Sequence, residues 1–269
     1  MRLIGRQDLA VRSSLIGVVV LGAVVAPGCG NGGRAGDPDA APGMLDAAIV
    51  RLADIVVDAP GISGTGFDDP TKAINGVRGG GSRTGSLDVF SRGYIPADDQ
   101  TPGNDHLTLA WSHGRLENGP GADLVVFENP FVVGASGAFM DLIIVEVSLD
   151  GVEFRALAHD YIAADPSVYR NEPALWPGFA GRTPVLFNID SHPVDPFDAA
   201  AAGGDQLDLD TVVGDDDVAR AIRTSGARFV RLVCAPARID PRTHANYVKD
   251  SASNGADIDG VYGRTVAPE

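Results

Sequence analysis

The stretch that decides the fold is GPGADLVVFENPFVVGASGAFMDLIIVEVSLDGVEF, residues 119–154. In its run Leu142–Val147, alternate residues define two faces, and both faces carry Ile, Val or Leu. That pattern is typical of a β-strand that is covered on both sides. Upstream, Asp123–Phe127 is a second β-branched and aromatic run, and Asn129-Pro130 ends it because the residue before a proline avoids regular pairing geometry.

The residues around this stretch predict an all-β fold. Asp150-Gly151 lies between two apolar runs and indicates a hairpin. The chain has 34 glycines and 18 prolines, with many short apolar runs between turn clusters. We therefore expect a jelly roll or β-sandwich of antiparallel strands with long loops, formed as a single domain by residues 47–269.

The N-terminal residues 1–28 are typical of an export signal. Arg2, Arg6 and Arg12 precede the apolar run LIGVVVLGAVVA, residues 15–26. A basic start followed by an apolar run of this length indicates a secretory signal peptide. Cys29 follows a small residue at the end of the run, which resembles a bacterial lipoprotein cleavage site. The alternative is a plain secretory signal with an incidental cysteine.

Residues 29–46 have the composition of a disordered tether, being rich in Gly, Ala, Pro and Asp. A lipid on Cys29 followed by such a tether would hold a folded domain away from a membrane surface. We therefore expect secretion across the inner membrane and a lipid-anchored location on the outer membrane or cell surface, with no other contact with the membrane.

Charge and cysteine content exclude some functions. The net charge is −15 at pH 7, so the surface repels phosphate backbones and nucleic-acid binding is not expected. Such a surface attracts divalent cations. Of the two cysteines, Cys234 lies in a strand-like run and is interpreted as a small buried hydrophobic residue.

The segment 158–204 is a long insertion with several prolines and aromatic residues. Loops of such length are usually functional or disordered, and the aromatic content argues against disorder. Tyr161, Tyr169 and Trp176 suit a surface that stacks on sugars or contacts a partner. The alternative interpretation is a hydrophobic cluster that covers a sheet edge.

Six motifs in a fixed order carry a resemblance to a known group. They lie at residues 64–70, 85–93, 119–131, 145–154, 203–209 and 255–261. Together they span about residues 49–263 and resemble a group of secreted bacterial cell surface proteins of unknown function. The strand patterns are similar to those of discoidin-type, galactose-binding-like jelly-roll domains.

The resemblance implies a calcium ion between the loop after the first strand and the last strand. The residues at the matching positions are Asp68, Asp69, Asp257 and Asp259. Calcium takes six to eight oxygen ligands from carboxylates and carbonyls. The alternative is that Asp68 and Asp69 cap a turn and that Asp259 pairs with an arginine.

The motifs favour a binding protein over an enzyme. The sequence contains no GxSxG or HExxH motif, and its five histidines are scattered. Our first hypothesis is a non-catalytic binding or adhesion lipoprotein that recognises a glycan. The second is a structural lipoprotein that contacts other envelope proteins. The third is a glycoside hydrolase with a carboxylate pair in residues 158–204.

The anchor is tested by Cys29→Ser. Because the acyl chains would be attached to the Cys29 sulfur, the substitution should move the protein from the membrane fraction to the soluble fraction after cell lysis. Cys234→Ser is the matched control and should leave the protein in the membrane fraction. Equal membrane retention of the wild type and Cys29→Ser would contradict lipidation.

Overall fold

The computed structural model describes residues 49–61, 66–93 and 105–268. The predicted signal peptide, the tether and Cys29 lie outside these residues. Among the helices of the described residues, none is long and apolar enough to cross a membrane.

The described residues form short strands with a few helical turns. The strands are β1 (Ile49–Leu52), β2 (Ile55–Asp58), β3 (Phe90–Gly93), β4 (His106–Ala110), β5 (Arg115–Leu116), β6 (Leu124–Phe127), β7 (Phe131–Val133), β8 (Gly137–Phe139), β9 (Ile143–Ser148), β10 (Arg155–Ala156), β11 (Asp205–Leu207), β12 (Phe229–Cys234), β13 (Ile239–Asp240), β14 (Ala245–Asn246), β15 (Gly255–Ile258) and β16 (Gly260–Ala267). The α-helices are α1 (Ala199–Ala202) and α2 (Asp217–Ser225), and the 3-10 helices are Pro70–Ile74, Pro173–Leu175, Leu209–Thr211 and Ala235–Ala237.

Two antiparallel sheets form the body of the domain. The first has the order β1-β16-β6-β11, with β5 also paired to β16, and the second has the order β10-β9-β12-β4-β2. The pairs β3–β15, β7–β8 and β13–β14 are smaller. The predicted all-β sandwich is confirmed. Within the described residues, the first strand β1 pairs with the last strand β16, so the two ends of the domain meet.

The main core lies between the two sheets. Leu124 and Val126 of β6 are fully buried in it, together with Ile143, Val145 and Val147 of β9. These side chains occupy alternate positions on their strands, as the period of two requires. One face of each central strand therefore faces the opposite sheet.

The insertion 158–204 covers the other faces. Trp176 and Phe179 form a second buried cluster with Ile144 of β9. Val185 and Phe187 form a third cluster with Phe127 of β6. The predicted strand with two covered sides is confirmed, and the covering layer is the insertion itself.

The predicted hairpin at Asp150-Gly151 differs from the structure. The first paired residues of the β9–β10 hairpin are Val147 and Arg155, so the connection is longer than a two-residue Asp-Gly turn. Asp150 Oδ1 accepts the N–H groups of Val152 and Glu153, which removes both residues from strand pairing.

Leu232→Ala tests the central packing. Leu232 is 1% exposed on β12, between β4 and β9, so truncation would leave a cavity in the main core. We expect a loss of about 2–5 kcal/mol in the free energy of unfolding, measured by urea denaturation.

The control is Val152→Ala, at a residue that is 80% exposed, which should change stability by less than about 0.5 kcal/mol. Similar losses for the two variants would contradict the assigned core.

Candidate functional site

The aromatic residues of the insertion are packed inside the protein. The Tyr161 and Trp176 rings stack with centroids 3.6 Å apart, and both residues are fully buried. Trp176 Nε1 donates to the Arg170 carbonyl at 2.8 Å. Tyr169 is half-buried and lies beside Trp176 with a centroid distance of 5.9 Å.

This burial corrects the sugar-stacking interpretation. A sugar needs an exposed ring face, and neither Tyr161 nor Trp176 presents one. Their role matches the alternative interpretation, a hydrophobic cluster, although the cluster covers a sheet face and not merely an edge. Tyr169 belongs to the same packing, and its hydroxyl is buried without a hydrogen-bond partner.

The four aspartates proposed for calcium have separate surroundings. Asp69 caps the 3-10 helix Pro70–Ile74 by accepting the Thr71 N–H at 3.0 Å, which is the turn-capping alternative. Asp68 is exposed. Asp259 is buried and accepts the Arg78 backbone N–H at 2.9 and 3.1 Å. The Asp257 carboxyl is hydrogen-bonded to Ser91 and Asn129.

The early loop and the last strands do come together, as the sequence predicts. Ser91 N donates to the Phe67 carbonyl at 2.9 Å, and Ser91 is paired with Asp257 across β3 and β15. The backbones meet, but the carboxylates bind different partners. In the part of the chain that the structure describes, no group of three or more Asp, Glu, His or Cys side chains is arranged to hold a metal ion.

A groove lies on the outer face of the second sheet, beside the insertion. Its volume is about 310 Å³. Ile144 and Glu146 of β9 form its floor, and His159, Arg238, Ile239 and Tyr247 are among the residues around it. The groove could not be predicted from the sequence, because its residues come from four separate segments. Within those segments, only Glu146 is unusual in the sequence, as a carboxylate in an apolar strand.

Charged groups in the groove are held by ion pairs. Glu146 lies 3.4 Å from Arg238 Nη2 and 3.7 Å from Arg231 Nη1. Arg238 also pairs with Asp105. Because these groups are partly buried, with side-chain exposures of 15% for Glu146 and 33% for Arg238, they present an acceptor and a donor in fixed positions.

The partly exposed His159 ring lies on one side of the same groove and packs on buried aromatic rings. The His159 ring packs edge-on against Phe179 at 4.9 Å and lies 6.0 Å from Tyr247. His159 Nδ1 is 2.8 Å from the Leu157 carbonyl, which can only accept, so Nδ1 carries a proton. In the neutral ring, Nε2 is then an acceptor.

A second groove, of about 530 Å³, lies on the insertion between residues 163 and 175. Asp165 and Glu172 both line it. Hydrogen bonds from Ser167 lower the pKa of Asp165, and the hydrogen bond from Arg170 lowers the pKa of Glu172. The general acid of a glycosidase has a raised pKa, and neither of these two carboxyl groups shows that shift.

No family model matches this chain, and neither a curated protein nor a solved structure matches it. The resemblance to cell surface proteins and discoidin-type domains therefore stays a prediction from the six motifs.

Asp259 makes the stability of the domain dependent on pH. Burial raises its pKa to about 7, from about 3.9 in an unfolded chain. The folded state therefore retains a proton that the unfolded state loses, and stability falls as pH rises from about 4 to 7. In Asp259→Asn, the loss in the free energy of unfolding between about pH 4 and 7 should be smaller by roughly 2–4 kcal/mol. Urea denaturation across the pH range measures this difference.

The control is Asp165→Asn, at an exposed carboxyl group whose pKa is lowered by Ser167. This substitution should change the pH dependence of stability only below about pH 5, where the Asp165 carboxyl group titrates. An unchanged pH dependence in Asp259→Asn would contradict the buried, protonated carboxyl group.

Proposed function

We propose that this chain is a non-catalytic binding lipoprotein of the bacterial cell surface and that it recognises a glycan in the groove beside Glu146. The observation that carries the proposal is the combination, in one groove, of a fixed donor and acceptor pair with exposed apolar side chains and the His159 ring. The lipid anchor, the export signal and the tether are the parts of the proposal that rest on the N-terminal sequence.

A sugar suits this groove chemically. Its hydroxyl groups both donate and accept hydrogen bonds, so Glu146 and Arg238 are complementary partners. Its C–H faces pack against apolar and aromatic surfaces, which the exposed Ile239 side chain and the partly exposed His159 ring supply. The groove volume of about 310 Å³ lies at the lower end of the range for small-molecule pockets, which suits one or two sugar rings.

A protein partner is the second candidate. Ile162 and Val168 are each 50% exposed near the groove at residues 163–175, next to the ion pair of Arg170 and Glu172. An apolar centre with charged neighbours is typical of a protein-binding surface. This observation favours a structural lipoprotein that contacts another envelope protein.

Val213→Arg tests the glycan proposal. Val213 lines the sheet groove and is 52% exposed, so the larger side chain should obstruct the groove without disturbing the core. We expect glycan-array signals of the wild type to fall by about tenfold or more.

Val152→Arg changes another exposed valine, outside this groove, and should bind glycans like the wild type. Val168→Asp tests the second candidate, the protein-binding surface. It should weaken the capture of an envelope protein and leave glycan binding unchanged. An array on which the wild type binds no glycan would overturn the first proposal.

A further inference from the structure

The β1–β2 edge, residues 49–58, is an open side of both main sheets. β1 is the terminal strand of the first sheet, β2 is the terminal strand of the second, and Ala53 and Asp54 connect them. Within the described residues, β1 pairs only with β16 and β2 pairs only with β4. The outward side of each strand therefore presents backbone N–H and C=O groups to which no described strand is paired.

The opposite edges of the two sheets are in contact with loops of the chain itself. Beside β10, the Val213 N–H donates to the Ala156 carbonyl at 2.8 Å. Beside β11, the Arg182 N–H donates to the Asp205 carboxylate at 2.8 Å. The 3-10 helix Pro70–Ile74 lies near β2 but forms no backbone hydrogen bond with it. Among the described sheet edges, the one at β2 is thus left for a partner.

Exposed apolar side chains follow this edge. Ile49 and Val50 of β1 and Ile55 and Val57 of β2 are each between 38% and 46% exposed. Single exposed apolar residues are normal on a protein surface, whereas four on two consecutive open strands indicate an interaction site. When a partner adds a strand to a sheet, main-chain hydrogen bonds supply affinity and contacts of alternate side chains supply specificity.

Two aspartates flank the exposed apolar pair of β2. Asp54 and Asp58 are both exposed. The Asp54 carboxylate is held by the Ser112 N–H at 2.7 Å, and Asp58 Oδ2 lies 3.5 Å from His106 Nε2. The whole chain adds to the negative potential, because its net charge is −15 at pH 7. The edge is therefore complementary to a partner with basic residues on both sides of an apolar pair.

The shape and charge of the edge favour a short peptide over a second copy of this chain. β2 has four residues, and its register with β4 shifts between Val56 and Asp58. Such an irregularity bends a strand, so a short and adaptable segment pairs with it better than another rigid sheet does. If two copies paired antiparallel about Val56, Asp54 of one copy would face Asp58 of the other, and like charges directly opposite are unfavourable.

We propose that the β1–β2 edge binds an extended basic peptide segment, which adds a strand to the second sheet beside β2. The partner carries apolar residues opposite Ile55 and Val57, and Lys or Arg opposite Asp54 and Asp58. Apolar and basic positions alternate in such a partner, as the period of two in a strand requires.

This edge is separate from the groove of the proposed function. In the order β10-β9-β12-β4-β2, the groove floor at Glu146 lies on β9, and β12 and β4 separate it from β2. Three strand spacings amount to roughly 14 Å. Peptide binding at the edge therefore requires no glycan in the groove, and either site can fail its test without the other.

Fluorescence polarisation of a labelled peptide tests the edge in the full chain. The probe is the peptide Lys-Val-Thr-Val-Lys-Val-Thr-Val-Lys, in which apolar and polar residues alternate. The control peptide, Lys-Val-Pro-Val-Lys-Val-Pro-Val-Lys, has the same charge, but proline lacks an N–H donor and disrupts strand pairing. We expect the wild type to bind the threonine peptide at least tenfold more tightly than the proline peptide.

Variants of the protein locate the binding. Val57→Lys should weaken binding of the threonine peptide at least tenfold, because a lysine on an edge strand opposes the addition of a basic strand. Val152→Lys is the matched control at an exposed valine outside the edge and should bind like the wild type. Val213→Arg, which obstructs the groove, should also bind the peptide like the wild type.

Asp58→Asn tests the charge pairing and adds no bulk. Because a cross-strand charge pair contributes modestly, this substitution should weaken binding of the threonine peptide about twofold to fivefold. The Asp58 side chain is 57% exposed, so the variant should fold and still decides the outcome if Val57→Lys does not.

Hydrogen exchange measured by NMR gives a second readout, which identifies the strand that the peptide contacts. A strand added beside β2 protects the amides on its open side, so exchange within residues 55–58 should slow at least tenfold with saturating threonine peptide. Exchange within Arg155–Ala156, at the opposite edge of the same sheet, should not change. The proline peptide should protect neither strand.

Four results would overturn the proposal. One is no binding of the threonine peptide by the wild type at about 1 mM. Another is equal binding of the two peptides, which would show attraction by charge alone. The third is wild-type affinity in a folded Val57→Lys or in Asp58→Asn. The fourth is a wild-type dimer that Val57→Lys dissociates, which would show that a second copy occupies the edge.

Discussion

The structure depends on apolar side chains that lie on both faces of its central strands. A sandwich of two sheets buries only one face of each strand, so Ile144 and Phe127 would face water without further cover. The insertion 158–204 supplies that cover by packing Trp176 against the second sheet and Phe187 against the first. The hydrophobic effect therefore accounts for an ordered insertion that has little regular secondary structure.

The same covering layer determines where polar groups are exposed. Beyond the region covered by Phe179 and Tyr247, the outer face of β9 is open at Glu146, and this opening is the groove. Under the layer, Glu128 and Asp141 are removed from water where strands of the two sheets end or begin. The charged pair in the groove is accessible to a ligand from solution, whereas the two buried carboxyl groups are not.

Several features could be predicted from residues alone because they depend on neighbours in the chain. The strand at Leu142–Val147 followed from the alternation of its apolar residues. Cys234 was correctly predicted to be buried. The candidate sites were predicted less well, since the burial of Tyr161 and Trp176 depends on a layer that periodicity does not describe.

The sequence by itself determined the fold class, because a period of two and frequent turn residues are local properties that any antiparallel sheet requires. It also determined that the two ends of the domain carry acidic residues. Only the tertiary structure decided which acidic groups lose contact with water and which aromatic rings have an exposed face. Those outcomes depend on segments that are more than a hundred residues apart, such as Asp257 and Glu128, and no local pattern records such contacts.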